Sequence, residues 1–384
     1  MRIAFYAPLK PPDHPVPSGD RRMARLFVAA LRLAGHTPVL ASRFRAFEGS
    51  GDQQRQTRLA ATGQALAERL LQRWRTAPGS APELWFTYHL HHKAPDWLGP
   101  HVAAALGIGY VVAEASFAPK QAGGPWDRGH RAVAAAIGRA AAVIGLNPAD
   151  RDCVLPLLAD PLRWVAIKPF LDARGYLPRA PTGTGSVRLI TVAMMRHGDK
   201  LASYRLLGAA LQQLTDLDWS LRVIGDGAAR AEVVRALAPL DGRVSWAGTL
   251  GGTALAGELA GADLCVWPAI NEAFGMALLE AQASGVPVVA GLSGGVGGVV
   301  ADGETGLLVP PGDATAFAAA LRRLILDRML RARLAAAARP RVLAEHDIAT
   351  AARRLGAVID ALRPADRAGS IRFAARAGPM AERA

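Results

Sequence analysis

Short apolar runs alternate with amphipathic stretches of helical length from the first residues of the chain onward. Residues 3–8 form an apolar run typical of a buried strand, residues 18–34 have the spacing of a helix, and residues 38–41 are the next predicted strand. The same alternation predicts strands at 83–88, 110–113 and 142–146, with helices at 96–106, 128–141 and 148–158. Strands separated by helices indicate a parallel sheet with right-handed crossovers.

The alternation stops between residues 169 and 186, where Pro178, Pro181, Gly183 and Gly185 are typical of a linker. A second series follows, with strands predicted at 187–193, 220–224, 244–246, 263–267 and 287–290, and helices at 204–214, 229–238, 254–259, 276–284, 313–326 and 348–362. The predicted fold class is therefore α/β, with two tandem Rossmann-like, doubly wound parallel sheets. The predicted organisation is an N-terminal domain (1–170), a linker (171–186), a C-terminal domain (187–340), a C-terminal helix that packs back on the N-terminal domain (341–363) and a disordered tail (364–384).

The size and composition of the chain support two domains of ordinary size. The 384 residues are 51% apolar, which is enough material for two cores. No apolar run reaches the roughly 18 residues of a membrane-spanning helix, and no export signal is visible near Met1. Cys153 and Cys265 lie far apart without a metal-binding spacing. We therefore expect a cytoplasmic protein.

The formal charge of +13 and the pI of about 10.7 predict that part of the surface attracts anions. Many arginines fall in the first fifth of the chain, namely Arg21, Arg22, Arg25, Arg32, Arg43, Arg45, Arg55, Arg58, Arg69, Arg73 and Arg75. Two interpretations stay open: an arginine-rich solvated face, and peripheral attachment to the anionic inner face of a membrane. Nucleic acid is not an expected partner, because interleaved aromatic residues and any nucleic-acid-binding motif are missing.

Chemistry is expected beyond the carboxyl ends of the strands, and the most informative such segment follows the predicted strand 263–267. Glu272 lies in the loop and Glu280 inside the next helix, with seven residues between them. A continuous helix would separate them by about 12 Å, which exceeds the roughly 5 to 9.5 Å of the paired carboxylates of a glycoside hydrolase. The spacing suits the two ends of an extended ligand, and Gly275 with the amides of the helix start suits phosphate oxygens.

Each of these carboxylates also has a purely structural interpretation. Glu272 would then be a capping or solvated loop residue, and Glu280 a surface residue of the helix. Glu280, however, shares its stripe with Met276, Leu279 and Ala283, a face that should pack. A carboxylate on such a face needs hydrogen-bond donors, and ligand hydroxyls would supply them.

The run NEAFGMALLEAQASGVPVVA from Asn271 to Ala290, followed by Gly294, Gly295 and the stretch DGETGLLVPPGD from Asp302 to Asp313, resembles the C-terminal half of the retaining glycosyltransferases of family 4. Those enzymes have the GT-B fold, so the resemblance implies two Rossmann-like sheets that face each other across a cleft. Glu272 and Glu280 match the Glu-x7-Glu motif of that family. The resemblance is strong over about half of the chain and holds only in outline for the N-terminal half.

The resemblance implies how the C-terminal half holds a nucleotide-diphosphate sugar. Glu272 with the backbone of Ala273, Phe274 and Gly275 would bind the donor sugar, and Glu280 the ribose hydroxyls. Gly225, after the second strand of this domain, matches the family as a donor-binding position. A basic pair is implied after the first strand of the domain, and we assign it to Arg196 and Lys200, whose charges suit a leaving diphosphate. The family usually places its arginine nearer the strand, where this chain has Met194.

The N-terminal half offers fewer candidates. Ser18 is a suitable N-cap, and Gly19 would let the loop after the first strand reach the diphosphate, although an ordinary strand-to-helix turn explains both residues equally well. His89 follows the strand 83–88, where relatives often carry a histidine near the transferred sugar. Because His89, His91 and His92 have no carboxylate or Cys partner at a useful spacing, no metal site is predicted. The strand ends also carry Lys93, Glu114, Ser116 and Lys120, which would meet the acceptor or lie in surface loops.

The function implied by the resemblance is transfer of a hexose from a nucleotide-diphosphate sugar to a glycan or lipid-linked acceptor, with retention at the anomeric carbon. No cofactor and no divalent ion are expected. Three other interpretations stay open: a sugar-nucleotide epimerase of similar fold, an NAD-dependent oxidoreductase, and a non-catalytic protein that binds anions or membranes. The oxidoreductase is disfavoured because no Gly-x-Gly-x-x-Gly follows any predicted strand.

Overall fold

The computed structural model describes residues 1–16, 18–179 and 185–363, which form two compact units. Among the described residues, the first unit contains Met1–Gly145, Asp150–Ala166 and residues 353–363, and the second contains Leu146–Ala149 and Ile167–Ala352. Part of the predicted linker, residues 180–184, and the predicted disordered tail, residues 364–384, lie outside the described residues.

The first unit is built on a six-stranded sheet in which all paired strands are parallel. In chain order the strands are β1 (Arg2–Tyr6), β2 (Thr37–Leu40), β3 (Leu84–Leu90), β4 (Gly109–Ala115), β5 (Ala142–Gly145) and β6 (Trp164–Ala166). Their order in the sheet is β2-β1-β3-β4-β5-β6. The order reverses between β1 and β3, where Phe5 pairs with Phe86. This reversal is the topological switch point at which α/β sheets bind ligands.

The second unit repeats this plan with another parallel six-stranded sheet. Its strands are β7 (Val187–Val192), β8 (Trp219–Ile224), β9 (Val244–Gly248), β10 (Leu264–Trp267), β11 (Val288–Gly291) and β12 (Gly306–Val309). The order in the sheet is β12-β11-β10-β7-β8-β9, so the switch point lies between β7 and β10. Cys265 pairs there with Ile190. Strands such as β10 and β11 are buried along their whole length, as expected of parallel strands with both faces covered.

Helices connect the strands in both units. Those before residue 160 are α1 (Gly19–Leu33), α2 (Gln53–Thr76), α3 (Gly99–Leu106), α4 (Asp127–Arg139) and the short α5 (Arg151–Val154). The later ones are α6 (Asp199–Gln212), α7 (Arg230–Leu237), α8 (Gly252–Ala260), α9 (Met276–Ala283), α10 (Ala314–Leu326), α11 (Arg328–Arg341) and α12 (Ile348–Asp360). Arg353, where the first unit resumes, lies within α12. The predicted α/β class with two tandem parallel sheets is confirmed.

Three predicted helices are wrong in extent. The helix predicted at 204–214 begins five residues earlier, at Asp199. The helix predicted at 148–158 is a 3-10 turn, the four-residue α5 and another 3-10 turn, because Pro156 lacks an amide hydrogen and disfavours helix before it. The helix predicted from residue 96 begins at Gly99. There the Asp96 carboxylate accepts hydrogen bonds from the amides of Leu98 at 2.9 Å and Gly99 at 2.7 Å, which holds the preceding turn in a non-helical conformation.

The sequence pattern missed β6, α11 and the 24-residue helix α2. The buried stripe of α2 consists largely of Ala60, Gly63 and Ala67 before Leu70, so its hydrophobic periodicity is weak. The exposed face of α2 carries Arg55, Arg58, Arg69, Arg73 and Arg75. In the part of the chain that the structure describes, every helix is too short or too polar to span a bilayer. Attachment of the arginines to an anionic membrane, and a cytoplasmic location, stay predictions.

Candidate functional site

An acidic and a basic side chain meet at the switch point of the second unit. Lys200 lies in the first turn of α6, directly after β7, and Glu272 lies in the loop after β10. Because β7 and β10 are neighbouring parallel strands, their carboxyl ends lie side by side. Lys200 Nζ forms an ion pair with Glu272 Oε2. Their side chains are 27% and 16% exposed, so both still face an opening to solvent.

A third group binds the same carboxylate oxygen. The indole N–H of Trp267, the last residue of β10, donates a hydrogen bond to Glu272 Oε2 at 3.0 Å. Glu272 Oε1 accepts no hydrogen bond from any residue that the structure describes. The carboxylate is therefore fixed through one oxygen, while the other remains available to a ligand.

The loop that carries Glu272 has an unusual backbone. Ala269 and Asn271 have φ values of 55° and 50°, and Gly275 has a φ of 73°. The left-handed region is uncommon for residues other than glycine, and such residues concentrate at functional sites. Side chains of α6 hold this backbone in place: Ser203 Oγ accepts from the amide of Ile270 at 3.0 Å, and Asp199 Oδ2 accepts from Asn271 Nδ2 at 2.8 Å.

A second loop, after β11, supports the Glu272 loop from another side. Ser293 Oγ accepts from the amide of Glu272 at 3.3 Å, and the amide of Gly295 donates to the carbonyl of Ala273 at 2.8 Å. A Cβ atom at Gly294 would lie 2.1 Å from the carbonyl oxygen of Glu272. Only glycine therefore lets the two loops lie this close.

The remaining donor-site candidates on this loop lie at the start of α9. Gly275 is the residue before the helix, and Ala273 and Phe274 precede it. The first amides of α9 point toward the loop, as at any helix start. Glu280 lies within α9 and is only 3% exposed, so its interpretation as a surface helical residue is wrong.

The two members of the predicted basic pair have different contacts in the structure. Lys200 contacts Glu272, whereas Arg196 is exposed and its guanidinium donates to Met194 Sδ at 3.1 Å. Arg196 lies in the loop before α6, and its side chain turns back toward Met194. The assignment of Arg196 and Lys200 to a diphosphate stays a prediction. Gly225 has a φ of 144°, and a Cβ there would lie 1.9 Å from the carbonyl oxygen of Ala193. Its visible role is to let the loops after β7 and β8 pack together.

The switch point of the first unit carries its own polar group. His89, near the end of β3, has a φ of 60°, and Glu114 on β4 has a φ of 58°. His89 Nδ1 lies 2.8 Å from Oδ1 of Asp20, in the first turn of α1. Burial lowers the pKa of His89, but the nearby carboxylates of Glu114 and Asp20 outweigh it, so the pKa is raised overall. Burial raises the pKa of Asp20, and the hydrogen bond with His89 outweighs that and lowers it.

Because its pKa is raised on folding, the protonated form of His89 stabilises the first unit at low pH. This stabilisation is fully present below the ordinary value of 6.5 and disappears as the pH rises through the raised pKa. We therefore expect the loss in free energy of unfolding caused by Asp20→Asn to be largest near pH 6 and to shrink as the pH rises through the raised pKa of His89. Denaturant titrations at several pH values measure it.

A matched control is Glu68→Gln, which removes the partner of His101 in an exposed contact of the same unit. Exposed pairs contribute little, so this variant should lose little stability at any pH. A loss for Asp20→Asn that stays constant across the pH range would contradict the proposed protonation of His89.

Comparison with known proteins adds to this geometry. Residues 186–327 match the family described as Glycosyl transferases group 1. The chain is 34% identical over 196 residues to a D-inositol 3-phosphate glycosyltransferase of Rhodococcus opacus, covering 47% of this chain and 44% of that protein. It is 36% identical over 138 residues to a glycogen synthase of Mycobacterium tuberculosis, covering 36% and 31%. The matches thus span less than half the length of these curated relatives.

Solved structures match over nearly the whole chain. A sucrose-phosphate synthase from Thermosynechococcus elongatus has a TM-score of 0.71 at 22% identity and covers 95% of this chain and 100% of its own. Anabaena HepE, solved in complex with UDP-glucose, has a TM-score of 0.68 at 18% identity, with 94% and 100% covered. The chain has the GT-B fold. The predicted fold is thereby confirmed, and the segment that matches Glycosyl transferases group 1 lies within the second unit.

The other predicted positions of the GT-B first unit are partly accounted for. Ser18 is the N-cap of α1, with Oγ accepting from the amide of Arg21 at 3.2 Å, and Gly19 is the first helical residue. Burial and the neighbouring His89 lower the pKa of His91 to about 3. In the described part of the chain, no group of three or more His, Cys, Asp or Glu residues is placed to hold a metal ion.

The residues of the first unit that were considered as acceptor contacts differ in their neighbours and in their exposure. The ammonium of Lys93 lies over the ring of Trp126, 4.5 Å from its centroid. The Glu114 carboxylate interacts with the hydroxyl of Tyr88, and Ser116 hydrogen-bonds Asp150. Lys120 lies in a 3-10 turn and is exposed. Sequence reasoning missed Trp267 and Asp20 as site residues, although Trp267 ends β10 and Asp20 directly follows the predicted Gly19.

Proposed function

We propose that this chain transfers a hexose from a nucleotide-diphosphate sugar to an acceptor hydroxyl. The observation that carries the proposal is the meeting of Lys200 and Glu272 at the switch point of the second unit, within the segment that matches Glycosyl transferases group 1. A sugar diphosphate needs a cation for its phosphates and a hydrogen-bond acceptor for its hydroxyls, and these two side chains supply both.

In this proposal the second unit holds the donor. Glu272 accepts hydrogen bonds from sugar hydroxyls, and the backbone of Ala273, Phe274 and Gly275 contacts the sugar and phosphate. Lys200, joined by Arg196 after a change of rotamer, neutralises the charge on the diphosphate. Gly225 lets the neighbouring backbone approach the ligand, and Glu280 binds the ribose hydroxyls.

The chemistry is a displacement at the anomeric carbon with retention of configuration. The bond between the anomeric carbon and the phosphate oxygen breaks, and the acceptor oxygen forms its bond on the same face of the sugar. The departing phosphate takes the proton of the acceptor hydroxyl, so Glu272 forms no covalent intermediate. Because Lys200, Arg196 and the start of α9 supply positive charge, no divalent ion is required.

The first unit is proposed to serve the acceptor. Asp20 and Glu114 lie beside His89 at its switch point, and a protonated His89 would donate a hydrogen bond to a sugar hydroxyl. Carboxylates accept hydrogen bonds from hydroxyls, which suits a glycan or the sugar of a lipid-linked acceptor. UDP-glucose is the first donor to test, since HepE was solved in complex with it.

The test is incubation of the full chain with UDP-, GDP- and ADP-hexoses, with and without a panel of p-nitrophenyl glycosides and a total lipid extract. We expect release of the nucleoside diphosphate and an acceptor-linked hexose, detected by mass spectrometry, in the presence of EDTA as well as without it. Proton NMR of the product should show the anomeric configuration of the donor.

Two results would overturn the proposal. Formation of an epimeric sugar nucleotide without any acceptor would favour the epimerase. Salt-sensitive binding to anionic vesicles, with neither binding nor turnover of any sugar nucleotide, would favour a non-catalytic anion-binding protein.

A further inference from the structure

Trp267 connects the core of the second unit to the carboxylate of Glu272. The residue ends β10 and is only 3% exposed. Its indole N–H donates to Glu272 Oε2 at 3.0 Å. The ring of Tyr204 packs edge-on against it, with the ring centroids 5.0 Å apart, and the Tyr204 hydroxyl donates to the carbonyl of Ala193 at 2.9 Å. The indole is therefore held rigidly between two strand ends.

Lys200 and Trp267 share one oxygen of Glu272 but differ in freedom. The Lys200 ammonium also lies 5.3 Å from the centroid of the Trp267 ring, so all three side chains form one cluster. A lysine has a long flexible stem and a compact charge that readily changes partner. An indole N–H is a fixed donor that accepts nothing. When a diphosphate attracts Lys200, Trp267 is the donor that stays on Oε2.

We propose that Trp267 is a positioning residue for the donor sugar. It holds Oε2 of Glu272 when Lys200 turns to the diphosphate, which keeps Oε1 directed at a sugar hydroxyl. This inference rests on the proposed function, because it assigns Trp267 a part in binding the sugar of the same donor. It predicts that loss of the indole N–H weakens binding of the sugar part of the donor and leaves binding of the nucleotide part unchanged.

The variant that tests it is Trp267→Phe, which keeps an aromatic ring against Tyr204 and removes the N–H. The matched control is Trp219→Phe, in the same unit. Trp219 is also buried, its indole N–H donates to the carbonyl of Leu214 at 2.7 Å, and its ring lies 5.0 Å from the Arg243 guanidinium. Both variants lose one buried indole donor, but only Trp267 touches Glu272.

The measurement is the affinity of each purified protein for UDP-glucose and for UDP by titration calorimetry. We expect Trp267→Phe to lower the affinity for UDP-glucose about tenfold, which is the effect of one hydrogen bond to a charged group. The affinity for UDP should stay within about twofold of the wild-type value. Trp219→Phe should leave both ligands within about twofold of the wild type. An unchanged affinity of Trp267→Phe for UDP-glucose, or an equal loss for both ligands, would overturn the assignment.

Crystals of the wild-type chain with UDP-glucose give a second readout that needs no variant. We expect Trp267 Nε1 to remain within about 3.2 Å of the Glu272 carboxylate while the lysine contacts phosphate. A carboxylate that has left the indole would overturn the inference and spare the proposed function. A wild-type chain that binds neither UDP-glucose nor any other sugar nucleotide would overturn both.

Discussion

Glu272→Gln should lower kcat/KM for sugar transfer by about 10²- to 10³-fold, the usual effect of removing one charged or polar group that acts on a transition state. Glutamine keeps the size of the side chain but loses the negative charge. The carboxylate pairs with Lys200, and in the proposed site its Oε1 binds the sugar. Its loss is therefore expected to disturb both the orientation of the sugar and the placement of the lysine. Initial-rate kinetics with the best donor of the hexose panel measure the effect.

Glu258→Gln is the matched control for this variant. Glu258 also lies in the second unit and forms an ion pair with Arg222 at 2.7 Å, but on α8, outside the loops that carry the candidate site. We expect its kcat/KM within about twofold of the wild type. If Glu272→Gln kept a third or more of the wild-type activity, Glu272 would have no part in the reaction.

Gly225→Ala should destabilise the second unit by about 3 kcal/mol or more, through overpacking and backbone strain. The added Cβ would lie 1.9 Å from the carbonyl oxygen of Ala193. That oxygen cannot easily retreat, because it accepts from Tyr204 at 2.9 Å while the amide of Ala193 donates to Ile224 at 3.0 Å. The φ of 144° is also one that alanine rarely adopts. Urea unfolding followed by the fluorescence of the tryptophans measures the change.

Gly257→Ala serves as the control for the glycine substitution. Gly257 lies inside α8, and apart from its chain neighbours and the backbone of its own helix turn, no described atom lies within 4 Å of its added Cβ. Alanine is favoured over glycine in a helix by about 1 kcal/mol, so this variant should be as stable as the wild type or more stable. If the free energy of unfolding of Gly225→Ala lay within about 1 kcal/mol of the wild-type value, the loops after β7 and β8 could separate at little cost.

The strand ends pointed to the loop that carries Glu272, and the family resemblance added Lys200 as part of a basic pair after the first strand of the domain. These two residues lie 72 positions apart along the chain. Their meeting depends on the strand order, since β10 pairs with β7 only because the sheet reverses there. A run of strands and helices does not by itself reveal that reversal.

Other site residues could not be recognised from the hydrophobic pattern or from their position along the chain. Trp267 ends an apolar strand, and a hydrophobic pattern counts its ring but not its N–H. Asp20 and His89 lie 69 positions apart and meet only when α1 packs beside β3. Arg196 was assigned to the phosphate by its charge and position, but the direction of a loop side chain depends on local contacts, here with Met194.

The two switch points differ in the charge that they present. In the second unit a lysine balances a carboxylate, which suits a ligand that carries both phosphates and hydroxyls. In the first unit Asp20, Glu114 and Asp150 surround His89, and burial raises the pKa of Glu114. That environment suits hydroxyls better than phosphates. We base the proposed division of the donor and the acceptor between the units on this difference.

Titration of UDP-glucose and of UDP into the wild type and into Glu272→Gln tests most directly whether this carboxylate binds the donor sugar. Removal of the charge should lower the affinity for UDP-glucose by about tenfold or more. The affinity of the variant for UDP should stay the same or increase, because Lys200 is then released from its ion pair and free to contact phosphate. Equal affinities of wild type and variant for UDP-glucose, or an equal loss for both ligands, would contradict the assignment of Glu272 to the sugar.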